Sequence, residues 1–278
     1  MRALTTGARF FGLRPQNDRG RGPDDTGAAM YINTKGIILR ETKYKESSKM
    51  LTVLTGSEGK ISASARGAVR KNSRLASSTQ LLAFSDMTLF CNNDRWSLTE
   101  AQPIELFHGL CEDIELFSLG AYFAEVTEAA ADTDSHSSEL LSLLLNSLYV
   151  LSEHKKEPGL VKLAFEMRLM CLSGFAPLVD ACPVCGKKEP ESPILDIAGG
   201  TALCRGCAGG AADCLALCEG SLNAIRHLVF CEDKKIFSFT LGEEPQRLLS
   251  LVAEAYLLRQ LDRRFKTLDY YKTYRVWV

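Results

Sequence analysis

The 278-residue sequence lacks any apolar stretch long enough to cross a membrane as a helix, which needs roughly 18–20 residues. Its most apolar segment, residues 140–151, is short and interrupted by Ser142, Asn146 and Ser147, so it predicts a buried helix. The N-terminal segment also lacks the apolar core of a secretory signal. We therefore expect neither a membrane protein nor a secreted one.

Residues 1–29 contain five arginines among glycine, proline and aspartate, without a periodic apolar pattern. A transit peptide is one interpretation, but Asp18, Asp24 and Asp25 weaken it because transit peptides are poor in acidic residues. We expect a flexible N-terminal extension, with Met30 as the natural start.

Motifs of the common enzyme classes are missing as well. Residues 56–60 resemble a phosphate-binding loop only faintly, because the full glycine–lysine spacing is incomplete and Ile61 stands in place of the hydroxyl residue. The sequence contains no nucleophile elbow, H-E-x-x-H or dinucleotide fingerprint, and its four histidines are isolated. We expect a protein that is not an enzyme.

Cysteine, in contrast, is abundant. Ten cysteines without a secretory signal indicate a reducing compartment, so we expect a cytoplasmic protein whose thiols stay free or bind metal. Four of them form two C-x-x-C pairs separated by eighteen residues, a spacing typical of one structural zinc ion. The predicted ligands are Cys182, Cys185, Cys204 and Cys207.

Gly186 and Gly206 lie beside or inside these pairs, where a positive φ angle turns backbone N–H groups toward sulfur. A redox C-x-x-C pair is the alternative, although such a motif usually occurs singly. Cys214 and Cys218 are near enough in sequence to be spare ligands.

The apolar pattern changes period along the chain. Five short β segments between residues 30 and 107 predict a small closed barrel of the OB-fold type, and Asn92, Asn93 and Asp94 predict a tight turn between the last two. From residue 108 to 278 the period is helical, and a zinc module at about 178–215 interrupts the helices. The first long helix is expected to bury one face, formed by Leu110, Ile114, Phe117, Ala121 and Ala124. The fold class is thus α+β, multidomain.

Basic residues are concentrated in the predicted barrel. Between Lys35 and Arg74, ten basic residues face three glutamates, which gives +7 in a chain whose net charge is −1. Such a local excess is typical of a nucleic-acid surface, and residues 66–74 are expected to form a flexible, phosphate-binding loop. The predicted DNA-binding residues are Arg40, Lys43, Lys60, Arg66, Arg70, Lys71 and Arg74. The alternative is a solvated surface. Tyr44 and Trp96 are either base-stacking or core residues.

Taken together, these features resemble the RecO family of bacterial DNA repair and recombination mediators. The resemblance covers about residues 31–272 and is carried by Gly36-Ile-Ile-Leu-Arg40, by Ala65-Arg-Gly-Ala-Val-Arg-Lys-Asn-Ser-Arg74, by residues 166–177 before the first cysteine pair, and by Arg263-Arg-Phe-Lys-Thr-Leu268. It implies binding of single- and double-stranded DNA, strand annealing, and work with RecR and single-strand binding protein to load RecA, in the cytoplasm at the nucleoid.

Two other functions are compatible with the residues alone. In the first, the helices and zinc module form a structural adaptor between proteins, and the basic stretch is only solvated. In the second, the chain is a zinc-containing RNA-binding protein without DNA annealing activity.

Overall fold

The computed structural model of the protein describes residues 29–131, 137–209 and 213–274. The predicted extension, apart from Ala29, lies outside the described residues. The strands are β1 (Met30–Tyr44), β2 (Ser48–Thr55), β3 (Lys60–Ala65), β4 (Phe84–Asn92), β5 (Arg95–Glu105), β6 (Pro193–Asp196), β7 (Thr201–Cys204) and β8 (Cys214–Ala216). The helices are α1 (His108–Cys111), α2 (Ile114–Ala130), α3 (Ser137–Ser152), α4 (Pro158–Leu172), α5 (Glu219–Phe230), α6 (Glu243–Gln260) and α7 (Lys266–Tyr274).

The first five strands close into a barrel in the order β1-β2-β3-β5-β4, with β3 and β5 parallel and the other neighbours antiparallel. Alternating side chains divide between two environments, because successive residues of a strand face opposite sides. Ile38 and Val53 fill the barrel interior, whereas Ile37 and Leu54 pack outside against the helices. The predicted five-stranded OB-like barrel is therefore confirmed.

The predicted turn at Asn93 and Asp94 has a clear backbone basis. Both residues have positive φ angles, 49° and 57°, as in the type I′ turn whose twist matches that of a β-hairpin. Asparagine and aspartate tolerate this left-handed conformation better than most residues do, so β4 can reverse directly into β5.

The helices form one continuous core with the outer face of the barrel. The predicted buried face of the first long helix was only partly right, because Leu110 and Ala124 are buried but two other members are not. Ile114 and Phe117 of α2 are exposed, whereas Leu116, Leu119, Phe123 and Val126 are buried. The prediction counted the helical repeat from Leu110, which belongs to the separate short helix α1. The four residues of α2 that are buried instead each lie two positions further along the chain than the predicted residues of that helix.

A small three-stranded sheet of order β7-β6-β8 lies between α4 and α5 in the chain. One side of this sheet packs Ile194 and Leu203 near the cysteines, and the other side adds Leu195 and Ala202 to the main helical core. Gln260 of α6 also donates a hydrogen bond to the carbonyl oxygen of Ile197, at 2.8 Å. The module is therefore attached to the helical domain by shared packing.

An unusual charged cluster is buried among α2, α4, α6 and α7. Lys162 and Glu166, 3% and 0% exposed, form an ion pair at 2.7 Å, and Glu254 lies 3.0 Å from the Lys162 ammonium. The Tyr122 hydroxyl donates to Glu166 at 2.7 Å. Burial raises the pKa of Glu166 above its usual value, although Lys162 and Tyr122 oppose this effect. Lys272 of α7 also pairs with Glu254, so the cluster ties four helices together through charge as well as packing.

In the described part of the chain, no helix combines the length and the apolar composition that crossing a membrane requires.

Candidate metal centre and nucleic-acid interface

The structure brings the four predicted zinc ligands together. Cys182 and Cys185 lie on the loop before β6, Cys204 ends β7, and Cys207 ends a short 3-10 turn at Arg205–Cys207. Their sulfur atoms all lie within 4.8 Å of one another, and the Sγ atoms of Cys185 and Cys204 are 3.7 Å apart. A tetrahedron with Zn–S bonds of about 2.3 Å has edges of about 3.8 Å. The cluster therefore has the dimensions of a four-thiolate metal site.

The electrostatics of the cluster also fit a metal ion. Backbone N–H groups of Cys204, Cys185 and Val184 lower the pKa of the Cys182 thiol to about 6. Hydrogen bonding to the Cys185 thiol and burial raise the pKa of Cys207 to about 12, and the neighbouring charges of Cys182 and Cys185 add to this effect. A divalent cation offsets the repulsion between neighbouring thiolates, because it binds all four sulfur atoms in their deprotonated form.

Local backbone hydrogen bonds shape the two cysteine pairs. The Gly186 amide donates to the Cys182 carbonyl at 2.8 Å, and the Cys182 amide donates to the Lys187 carbonyl at 2.8 Å. Gly186 has the expected positive φ angle, 72°, but Gly206 does not, and Gly209 takes that conformation (57°) after the second pair. The second turn is formed instead by the 3-10 turn of residues 205–207.

The proposed spare ligands do not join the cluster that residues 182–207 form. Cys214 packs beside the metal cluster without entering the group of four sulfurs. The Cys218 sulfur accepts a hydrogen bond from the Ser221 hydroxyl, 3.4 Å away, at the start of α5. Among the described residues, only the four predicted cysteines are arranged as a possible metal site.

The second candidate site is a basic surface at one end of the barrel. Residues 66–83 link β3 to β4, and four of the predicted DNA-binding residues lie there, all exposed: Arg66, Arg70, Lys71 and Arg74. In the chain as described, none of the four has a carboxylate at ion-pair distance. Their charges are thus available to an anionic partner.

The loop that was predicted to be flexible has a defined backbone path, made of successive turns. Successive turns are closed by the Arg70 and Ser73 amides, which donate to the carbonyls of Gly67 and Arg70 at 3.1 and 3.0 Å. Ala68 is buried in the barrel core, and Leu75 packs against it. The Val69 amide donates to the Ser47 carbonyl at 3.2 Å, which ties the loop to the turn between β1 and β2. These backbone contacts position the loop against the end of the barrel.

Lys43 belongs to the same surface. It lies opposite Lys49 in the β1–β2 register, and Lys49 lies opposite Ala65, the residue before Arg66. Lys49 itself is engaged, because it pairs with Glu41 and donates to the Thr79 carbonyl. We call the five exposed cations at this end the loop surface: Lys43, Arg66, Arg70, Lys71 and Arg74.

Arg40 and Lys60 lie elsewhere. The Arg40 guanidinium forms an ion pair with Glu128 of α2 at 2.8 Å, and the Lys60 ammonium donates to the Glu128 carbonyl oxygen at 2.8 Å. Lys60 begins β3, whereas Arg66 follows its end, so the two lie about 20 Å apart along the strand direction. The structure therefore separates the seven predicted residues into a free group of five and an interdomain pair.

The two candidate stacking residues differ in exposure. Tyr44 is 46% exposed on the β1–β2 hairpin, and the Lys45 ammonium lies 5.2 Å from its ring centroid. Trp96 is partly buried against the barrel core. Tyr44 is available to a ligand and Trp96 is mainly a packing residue.

Glu128 is the residue of this region that the sequence did not indicate. It lies in the last turn of α2, where backbone carbonyls lack helical partners and attract cations. The helix end was readable from the sequence, but its contact with β1 and β3 depends on how the two domains pack.

Comparison with known proteins agrees with both halves of this architecture. The family model described as Recombination protein O N terminal matches residues 30–107, and the one described as Recombination protein O C terminal matches residues 111–269. DNA repair protein RecO of Acetivibrio thermocellus is 31% identical over 243 residues, which cover 87% of this chain and 97% of that relative. DNA repair protein RecO of Symbiobacterium thermophilum is 29% identical over 254 residues, 89% of this chain and 98% of the relative. The predicted resemblance is confirmed, and the chain belongs to the RecO family.

Proposed function

We propose that this protein is a non-catalytic DNA repair and recombination factor that binds single- and double-stranded DNA and anneals complementary strands. The observation that carries the proposal is the loop surface, which presents five exposed cations on an ordered barrel end. Small barrels of this type are common platforms for nucleic acids. The names of the relatives, DNA repair protein RecO, support the same assignment.

The proposed mechanism is electrostatic. Two complementary strands repel each other through their phosphates, and each phosphate that a lysine or arginine contacts releases condensed counterions. Arginine guanidinium groups suit this task because their planar forks bond phosphate oxygens in pairs. By neutralising phosphates on both strands, the loop surface lowers their repulsion while the bases find their complements. This step makes and breaks no covalent bond.

The partners implied by the family complete the proposal. We propose that the protein works with RecR and with single-strand binding protein to assist RecA loading, in the cytoplasm at the nucleoid. The helical domain is the expected docking region for these proteins.

We further propose that the metal is one structural zinc ion, held by Cys182, Cys185, Cys204 and Cys207. Four thiolates fill the tetrahedral positions that zinc prefers, so no position remains for a water molecule and hydrolytic chemistry is not expected. The role of the ion is then to stabilise the fold of the β6–β8 module.

The direct test is strand annealing by the purified chain, with complementary oligonucleotides bare or coated with single-strand binding protein. Wild type should accelerate annealing of both. The variant Arg66→Gln/Arg70→Gln/Arg74→Gln should lose most of this acceleration. A control should keep it: Lys188→Gln/Lys234→Gln/Arg247→Gln, which removes three exposed positive charges far along the chain from the barrel.

The result also separates the other candidate functions. If wild type neither binds nor anneals DNA, the adaptor function takes the place of this proposal. If it binds RNA but not DNA under the same conditions, the RNA-binding alternative takes its place.

A further inference from the structure

A second set of unpaired cations lies in the helical domain, on the segment that connects α6 to α7. Arg263, Arg264 and Lys266 are all exposed, and within residues 29–131, 137–209 and 213–274 none of them has an ion-pair partner. We call these three residues the α6–α7 strip. Their charges were not part of the predicted DNA-binding set.

The strip is held on a firm base. Between and after its cations, Phe265 and Leu268 are buried in the helical core. The Arg263 guanidinium lies over the Phe265 ring, 5.6 Å from the centroid, a cation–π arrangement that fixes its position. The Arg263 amide also donates to the Leu258 carbonyl, at 3.4 Å. These contacts position the segment against the helical core, as the backbone contacts of residues 66–83 position that loop against the barrel.

The strip lies next to the barrel through α2. The Glu125 carboxylate accepts hydrogen bonds from the amide and hydroxyl of Thr267, the residue after Lys266. One turn further along the same helix, Glu128 holds Arg40 and Lys60 of the barrel. Side chains three residues apart on a helix are neighbours, with Cβ atoms about 5–6 Å apart. The segment of the strip and Arg40 therefore contact α2 one helical turn apart.

Arg40 in turn leads to the loop surface. It lies three residues before Lys43 on β1, which corresponds to about 10 Å along an extended strand. Arg40 remains 64% exposed despite its ion pair with Glu128. Successive residues of a strand face opposite sides, so Arg40 and Lys43 present their charges on opposite faces of β1. A flexible single strand that contacts both passes around the edge of β1 that β4 leaves unpaired beyond Ile37.

Aromatic side chains extend this path beyond the strip. Tyr270 and Tyr274 of α7 are exposed, at 49% and 39%, and their ring centroids lie 4.8 Å apart. A row of cations followed by exposed aromatic rings is the combination that single-stranded nucleic acids use, through phosphate contacts and base stacking. A base can stack on a tyrosine ring only if it is not already stacked within a duplex. A single strand therefore fits this surface better than a duplex does.

We infer that a single DNA strand bound at the barrel continues across Arg40 onto the α6–α7 strip, so that the helical domain forms the second half of the binding surface. This inference rests on the proposed function of the barrel. It assigns the strip to phosphates and Tyr270 and Tyr274 to bases. It also predicts a bound length greater than the barrel alone can cover, because one such barrel contacts about 4–16 nucleotides.

The test compares fluorescence anisotropy of the full chain on oligothymidylates of about 10 and about 30 nucleotides, across a salt series. The variant Arg263→Gln/Arg264→Gln/Lys266→Gln should bind the long oligonucleotide more weakly. Its slope of log affinity against log salt should be smaller in magnitude by about 2, from three lost contacts at about 0.7 each. Binding of the short oligonucleotide should stay unchanged. Tyr270→Ala/Tyr274→Ala should weaken only the long complex, with little change in salt slope.

The control is again Lys188→Gln/Lys234→Gln/Arg247→Gln, and equal melting temperatures establish that each variant is folded. The inference is overturned if the strip variant binds the long oligonucleotide as tightly as this control does. In that case, weak binding by the loop-surface variant still supports the proposed function. If wild type binds neither oligonucleotide, the proposed function fails and the inference fails with it.

Discussion

Arg40 of the barrel and Glu128 of the helical domain form an ion pair with 2.8 Å between the guanidinium and carboxylate. The same glutamate offers its backbone carbonyl to Lys60, so a single residue of α2 engages two of the cations that the sequence assigned to DNA. A phosphate that contacts Arg40 therefore has to compete with a carboxylate already in place.

Replacing Glu128 with glutamine should strengthen DNA binding. The Glu128→Gln change removes the competing charge but keeps the backbone carbonyl that binds Lys60. Because exposed ion pairs contribute about 0.2–1 kcal/mol, affinity for single strands should rise by up to about fivefold at low salt, with little change in melting temperature. Anisotropy titrations at low and high salt measure this, and the gain should disappear at high salt. Unchanged or weaker binding at low salt would show that Arg40 does not contact DNA.

Removing the buried cation Lys162 should destabilise the helical domain strongly. In Lys162→Met, Glu166 remains fully buried without its ion-pair partner, a situation that costs about 3–5 kcal/mol in other proteins. Urea unfolding at neutral pH measures the loss. The control, Lys187→Met, breaks an exposed pair with Glu191 and should cost less than about 1 kcal/mol. Similar stability of the two variants would contradict the importance of the buried cluster.

The stability that Lys162→Met loses relative to wild type should become smaller as the pH falls. Burial already raises the pKa of Glu166, and loss of Lys162, which lowers it, raises it further. A carboxyl group whose folded pKa exceeds its unfolded pKa favours folding most at low pH, and this stabilisation disappears as the pH rises through the folded pKa. Although partial burial raises the pKa of Glu254, Lys162 and Lys272 hold it below its usual value, so its stabilisation in wild type is lost in acid. Both effects reduce the difference in unfolding free energy between variant and wild type as the pH falls from neutral to about 4–5. A gap that stays constant would contradict this assignment.

Metal removal should weaken the helical domain and spare the barrel. One zinc ion per chain is expected, and chelation should lower the melting temperature because Leu195 and Ala202 of the module belong to the main helical core. Short-oligonucleotide binding should persist, since the loop surface lies on the barrel. The variant Cys185→Ser should behave like the chelated protein, and Cys111→Ser, which changes an exposed cysteine outside the cluster, should behave like wild type. Complete loss of DNA binding on mild chelation would contradict this division.

Local patterns in the sequence were enough to predict the barrel strands and the cysteine cluster. Short β segments separated by turn residues predicted the five barrel strands, and the spacing of Cys182, Cys185, Cys204 and Cys207 predicted sulfur atoms that the fold does bring together. Both depend on residues close to one another in the chain or on a fixed ligand geometry.

The remaining features depend on packing between distant segments. Charge alone placed Arg40 and Lys60 with the loop residues, whereas contact with Glu128, many residues away in the chain, separates them. The buried face of α2 depends on which elements pack against it. Helix α7 was not predicted, because it is short and its mostly polar sequence shows little helical periodicity. The order of residues 66–83 comes from the anchoring of Ala68 and Leu75 in the barrel, which periodicity does not reveal.

The salt dependence of single-strand binding tests the central claim most directly. Five phosphate contacts by Lys43, Arg66, Arg70, Lys71 and Arg74 predict a slope of log affinity against log salt of about −3.5 on a short oligonucleotide. The variant Arg66→Gln/Arg70→Gln/Arg74→Gln should retain two contacts and a slope of about −1.4. A wild-type slope near zero, or the same slope in wild type and variant, would contradict the assignment of the loop surface to DNA.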